Sequence, residues 1–264
     1  MNAFRQMMSA AAGKPPAGTW IMSASPLVAE AIGCAGYDWG VVDMEHTPID
    51  LMTLVHMLQA VAGTPMLPIV RVPWNDSVSL KRVMDAGATT LLVPFVQNAE
   101  EARAAASACR YPPQGVRGMA GMSRASRFGT TPNFLGTANE TISVIVQLET
   151  EESIANVDEI AAVEGIDALF VGPGDLSGTM GHIGQLTHPA VLERTRHAVA
   201  RAKAAGKPIG TVGGTPEVCA LYREMGFDFV AIASDLGLLM RSAQAALAAL
   251  RNENVAPVKP QGAY

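Results

Sequence analysis

The chain is expected to be an α/β protein, a (β/α)8 TIM barrel forming a single domain over residues 1–264, with a short N-terminal helix. Three observations lead there. Eight short runs rich in β-branched residues alternate with eight helical patterns along most of the chain. The runs are apolar on both faces and are separated by helices, which implies parallel strands covered from outside. No linker or shift of composition divides the chain, and eight units fit a closed barrel better than an open doubly wound sheet.

Taken in order, Phe4, Met7, Met8 and Ala11 share one side of a helix over 3–12, which the GKPPAG segment ends. Strands are expected at 19–23, 39–43, 66–72, 89–94, 142–148, 166–171, 208–212 and 228–232. Helices are expected near 26–35, 50–62, 76–86, 98–109, 151–162, 189–205, 215–225 and 235–250. Two insertions interrupt the rhythm, the Gly-, Pro- and Arg-rich stretch 111–140 and the stretch 172–188. Both are expected as long loops at the carboxyl ends of the strands, where barrels keep their chemistry. The polar tail 252–264, with two prolines, is expected to be flexible.

Composition narrows the classes. Hydrophobic residues make up 49% and charged residues 16%, with a mean hydropathy of +0.21, so a large core is available. The net charge is −5 and no Lys/Arg block occurs, which argues against a nucleic-acid partner. The opening MNAFRQMMSAAAGKPP lacks the apolar core of a signal peptide, and no run is long enough to span a membrane, so a soluble cytoplasmic protein is expected. Cys34, Cys109 and Cys219 lie far apart within helical patterns and read as buried free thiols.

The strand 142–148 runs into Glu149, and the strand 166–171 is followed closely by Asp175. Acids at the tops of neighbouring parallel strands form an oxygen-donor site suited to Mg²⁺, Mn²⁺ or Co²⁺ holding waters and a chelating substrate. Taken singly, Glu149 also reads as a helix-start acid and Asp175 as an N-cap. The second strand ends VVDMEHTP, which puts His46 at the barrel top as a candidate base. Asp43 is placed to orient its ring, and Glu45, on the same strand face, is the rival. Arg71, the basic residue of the third strand, needs an anion: a substrate oxyanion, or an internal partner such as Glu45 or Glu149.

Absences sharpen this reading. The lysines are Lys14, Lys81, Lys203, Lys207 and Lys259, and none falls at the carboxyl end of an expected strand, which disfavours a Schiff base. No GxSxG elbow, Rossmann fingerprint or Walker loop is present.

Set in VVDMEHTPID, RVPWND, VMDAGA, LVPFVQNAEEA, YPPQGVRG, QLET and FVGPGDLSGTMG, these residues resemble the HpcH/HpaI family of metal-dependent pyruvate aldolases, from about Thr19 to Arg251. The resemblance implies reversible cleavage of 4-hydroxy-2-oxo acids to pyruvate and an aldehyde. It implies Glu149 and Asp175 as metal ligands, Gln147 and Gly174 in the pyruvate pocket, and Arg71 on the keto oxygen. Asp43 and His46 match the acid/base dyad, and Asp85 matches an aspartate that members bring to a neighbouring subunit's site. By the same analogy Trp20 and Val212 wall the acceptor pocket. Members are typically hexamers of paired trimers with a swapped final helix, so a homo-oligomer is implied here. Arg117, Arg124 and Arg127 are candidates for an acceptor carboxylate or for a subunit contact, and read equally as solvated or bridged to acids. The competing readings are an acyl-CoA lyase on the same barrel, a non-catalytic oxo-acid-binding protein, and a decarboxylase or isomerase using the same enolate.

Overall fold

The protein is described by a computed structural model covering residues 2–11 and 13–251. Eight parallel strands close into a barrel in chain order, β8 pairing with β1. They are β1 (Ala17–Ile21), β2 (Trp39–Asp43), β3 (Leu67–Arg71), β4 (Thr90–Val93), β5 (Ser143–Leu148), β6 (Ala168–Val171), β7 (Ile209–Gly213) and β8 (Phe229–Ser234). The first helices are α1 (Ala3–Ala10), α2 (Pro26–Cys34), α3 (Leu51–Val61), α4 (Ser77–Asp85), α5 (Ala99–Ala108) and α6 (Phe134–Thr141). The rest are α7 (Glu151–Ala155), α8 (Val157–Ala161), α9 (Pro173–Thr179), α10 (Pro189–Ala204), α11 (Pro216–Met225) and α12 (Asp235–Arg251). The eight expected strands are all present, most within two residues of their expected ends.

Strand alternation sorts the core into two layers. One set of side chains, including Val42, Val70, Leu91, Val146 and Leu169, packs outward against the helices. The other, including Trp20, Trp39, Ile69, Ile145, Phe170, Val212 and Phe229, fills the barrel interior. Glycine makes that filling possible, because a Cβ on Gly18 would sit 2.2 Å from the Trp39 ring and one on Gly210 2.3 Å from that of Phe229. Helix α1 closes the amino end of the barrel: Phe4 is buried and meets Phe229 edge-on, with ring centroids 5.4 Å apart.

Four expectations change. Of the three thiols expected to be buried, Cys109 and Cys219 are, and Cys34 is exposed. The helix expected over 151–162 is broken at Asn156 into α7 and α8, and Asn156 spends its side-chain amide on the carbonyl of Gln97. The insertion 111–140 is not a loop at the carboxyl ends of the strands. It follows α5, so it lies at the amino end of the barrel. There Val116 and Arg117 bond back to Ser107 and Arg110, Ala125 bonds to Asp85, and the last residues form α6. The stretch 172–188 does sit on the carboxyl side of β6, but its first half is the short helix α9. The expected tail 252–264 lies outside the described residues. Among the described residues no helix is long and apolar enough to cross a membrane.

Candidate active site

The site is built at the carboxyl ends of β2, β3, β5 and β6. Its centre is Arg71, fully buried at the end of β3. In-register pairing sets Asp43 of β2 opposite Arg71. The two join through Arg71 Nε to Asp43 Oδ1 at 2.9 Å and Arg71 Nη2 to Asp43 Oδ2 at 2.7 Å. This fork-on-fork geometry is what lets a guanidinium sit in an apolar strand. Glu45 adds a third contact, its Oε2 lying 3.0 Å from Arg71 Nη1. Beneath, the Trp20 ring lies 5.5 Å from the guanidinium carbon and supports it from the barrel interior.

Asp43 therefore does not reach the His46 ring. Its carboxylate is taken up by Arg71 and by the backbone N–H groups of Glu45 and His46, which fold the chain over at the end of β2. The carboxylate nearest the ring is Glu45, with His46 Nε2 3.8 Å from Glu45 Oε2, and the His46 side chain is half exposed at the mouth. Glu45 is pushed above the usual carboxylate range, first by burial. Arg71 and His46 pull it back down, while Asp43 and Asp175 raise it further.

Glu149 points inward from the end of β5 and is 2% exposed. It is held from two sides: the Phe95 N–H donates to Oε2 at 3.0 Å and the Gln147 amide donates to Oε1 at 2.9 Å. A third wall is Gly172, where a Cβ would lie 2.4 Å from Oε1. Phe95 aims its amide from a left-handed backbone conformation (φ 53°), and its ring stacks on Trp74 at the rim. Burial pushes the Glu149 carboxyl up to about 8, with Glu45 and Asp175 adding to the rise and the Phe95 amide and Arg71 opposing it. The N-cap reading of Asp175 does not hold. The N-cap of α7 is Thr150, in a reciprocal pair with Ser153, and Asp175 is in the first turn of α9 rather than at its cap, which is Gly172.

Three carboxylates, Glu45, Glu149 and Asp175, thus sense one another around one buried guanidinium. Gln147 Oε1 is buried beside them with no hydrogen-bond partner among the described residues. Hard anionic oxygens, an unused amide oxygen and a surplus of negative charge fit a divalent cation. Among the described residues no group of three or more His, Cys, Asp or Glu forms a closed metal cage. Glu149 and Asp175 would instead hold the ion with most of its shell open.

The remaining expected residues divide. Gly174, the second residue of α9, has no atom within 4 Å of where a Cβ would be, so its backbone borders open space. Trp20 and Val212 are buried in the barrel interior and form the floor under the mouth. Asp85 is not brought into this site. It ends α4 at the opposite end of the barrel, 2.7 Å from Arg117. Sequence reasoning missed the Phe95 amide and Trp74; the first acts through the backbone and leaves no residue-type signal.

A barrel with paired acids, an arginine and a histidine at its carboxyl end presents an oxygen-donor site beside a fixed positive charge, which suits an enzyme acting on an anionic small molecule. The HpcH/HpaI aldolase/citrate lyase family model matches residues 17–242, and the chain belongs to that family. It is 53% identical over 249 residues to 2-dehydro-3,6-dideoxy-6-sulfogluconate aldolase of Pseudomonas putida, covering 94% of this chain and 97% of that one. It is 45% identical over 227 residues to 5-keto-4-deoxy-D-glucarate aldolase of Salmonella newport (strain SL254), covering 86% and 89%. A solved HpcH/HpaI aldolase/citrate lyase family protein from Burkholderia cenocepacia J2315 superposes with a TM-score of 0.91 at 38% identity, covering 95% of this chain and 100% of that one. The protein is accordingly a carbon–carbon lyase, an aldolase.

Proposed function

We propose that this aldolase is divalent-cation dependent, with Glu149 and Asp175 as the protein ligands, and that its substrate is a 2-oxo-3-deoxy sugar acid hydroxylated at C4, the class both curated relatives' names describe. The observation that carries the reading is Glu149, a carboxyl buried at the barrel mouth, held by Phe95 and Gln147 and beside two further acids. A cation bound there would supply a Lewis acid for the 2-oxo group. Arg71, fixed by Asp43 and Glu45 and stacked on Trp20, presents positive charge where the keto oxygen becomes an enolate oxygen. Gln147 and the backbone at Gly174 orient the pyruvate portion. His46, exposed at the mouth with Glu45 beside it, takes the proton from the C4 hydroxyl during cleavage and returns it during synthesis.

Asp85 lies at the far end of its own barrel, so it can serve catalysis only from another copy of the chain. Helix α12 exposes Leu236, Leu239, Met240, Leu247 and Leu250, an apolar face suited to burial in a homo-oligomer, a trimer or hexamer. Pyruvate release from a racemic 4-hydroxy-2-oxo acid, with and without added Mg²⁺, Mn²⁺ or Co²⁺, tests the chemistry. Light scattering tests the assembly, where a monomeric mass would remove any role for Asp85.

A further inference from the structure

Away from the barrel mouth, at the amino ends of β4 and β5, lies a cavity of about 730 Å³. Its walls come from the α4–β4 turn, the 111–133 segment and α6. Among the described residues, Arg117, Arg124 and Arg127 are its charged lining residues, and no Asp or Glu lines it. In a chain of net charge −5, three guanidinium groups line one cavity; Arg117 is already paired with Asp85, so the positive charge it presents comes from Arg124 and Arg127.

Those arginines are under-used. Each carries five N–H donors. Arg117 is 3% exposed, donates through Nη2 to Asp85 and stacks on the Tyr111 ring, yet its Nε is buried with no hydrogen-bond partner among the described residues. Arg124 donates through Nη1 to the Ala86 carbonyl at 2.9 Å. Its head fits there because residue 87 is glycine, with φ 108° and with Arg124 Nη1 2.3 Å from where a Cβ would be. Arg127 and Phe128 are consecutive non-glycine residues in the left-handed region, and both line the cavity. Thr89, Thr130, Thr131, Thr137 and Thr141 add hydroxyl groups around the same space.

We infer that this cavity is a second binding site, for a small hydroxylated oxyanion: the guanidinium groups take the anionic oxygens and the threonines take hydroxyls. The chemistry is shared by phosphate and by hydroxy-carboxylates, and the cavity lies at the opposite end of its own barrel from Glu149, beside Asp85.

Isothermal titration of the metal-stripped protein, at ionic strength matched with chloride, separates the sources by using inorganic phosphate in one arm and D-glycerate in the other. Saturable binding in either arm is expected, weakened at least about tenfold in Arg127→Glu. Arg127 is chosen because its side chain makes no hydrogen bond among the described residues, so the fold does not depend on it. Arg124→Gln provides a second variant and is expected to weaken binding as well. Light scattering of every sample reports the oligomeric mass. Absence of saturable binding in both arms, or equal affinity in wild type and both variants, overturns the inference. A change of oligomeric mass in Arg127→Glu with anion binding unaltered also overturns it, by assigning the arginines to a contact between copies.

Discussion

The two ends of the barrel carry opposite charge. Among the described residues, the segments leading from a strand into the next helix contain no Lys or Arg, while Glu45, Glu149 and Asp175 gather there around the one arginine at the end of β3. The segments leading from a helix into the next strand hold Lys14, Arg110, Arg117, Arg124, Arg127 and Lys207 alongside Asp38, Glu164, Asp167 and Asp228. The same architecture, with the same apolar strands between, therefore offers a cation-seeking end and an end where basic residues outnumber acids. Fold alone does not decide chemistry; the residues at each end do.

Removing the central arginine should break the carboxyl end most severely. Arg71→Ala leaves Asp43 and Glu45 without their shared counter-charge. It is expected to cost about 3–5 kcal/mol of stability in urea unfolding and to lower kcat by about 10²–10³. Stability unchanged by this substitution would mean the buried carboxylates are satisfied without it.

Glycine substitutions sharpen the picture at finer scale. Gly172→Ala drives a Cβ against Glu149 Oε1, and Gly174→Ala meets open space. The first is expected to lower kcat/KM by about 10-fold or more through displacement of the carboxylate. The second should leave stability within about 0.5 kcal/mol and act on KM, since only the bound oxo acid would feel the methyl group. Equal kinetic effects from the two would argue against a tight wall at Gly172.

A pH dependence follows from Glu149. Its folded carboxyl is raised from the ordinary 4.5 to about 8. Through that interval the folded, metal-stripped protein keeps a proton that the unfolded chain releases, so stability falls as pH rises. Glu149→Gln carries no such proton. In the metal-stripped state its stability relative to wild type should increase between pH 5 and pH 8 by an amount on the order of a few kcal/mol. A pH-independent difference would place the carboxyl in a more solvated setting.

The amino end should be the quieter one. Asn2 caps α1 through the Arg5 N–H and donates to the Ile142 carbonyl at 3.0 Å. Asn2→Ala is expected to lose about 1–2 kcal/mol in thermal unfolding, with kcat/KM unchanged.

Much of this was legible before any coordinates. Eight β-branched runs alternating with helices specified the barrel, and strand-end position marked Glu149, Asp175, Arg71 and His46 at its mouth. The partner of Asp43 was not legible, because it depends on the β2–β3 register that sets Asp43 opposite Arg71. The end of the barrel at which the arginine-rich insertion lies was also misread. Its length suggested a loop on the site face, but helix α5 intervenes and carries the chain to the other end before the insertion begins. The Phe95 amide is held in place by tertiary packing, to which residue type is a poor guide.

The most direct test of the cation-seeking end is pyruvate release from a racemic 4-hydroxy-2-oxo acid. Wild-type and Glu149→Ala proteins are compared after EDTA treatment and again after Mg²⁺, Mn²⁺ or Co²⁺ is added back. Wild-type turnover should vanish on stripping and return with the ion, and Glu149→Ala should stay at least about 10³-fold down in either condition. Turnover indifferent to EDTA, or a Glu149→Ala enzyme restored by added metal to wild-type rates, would contradict the assignment of Glu149 as the residue that makes this barrel an aldolase.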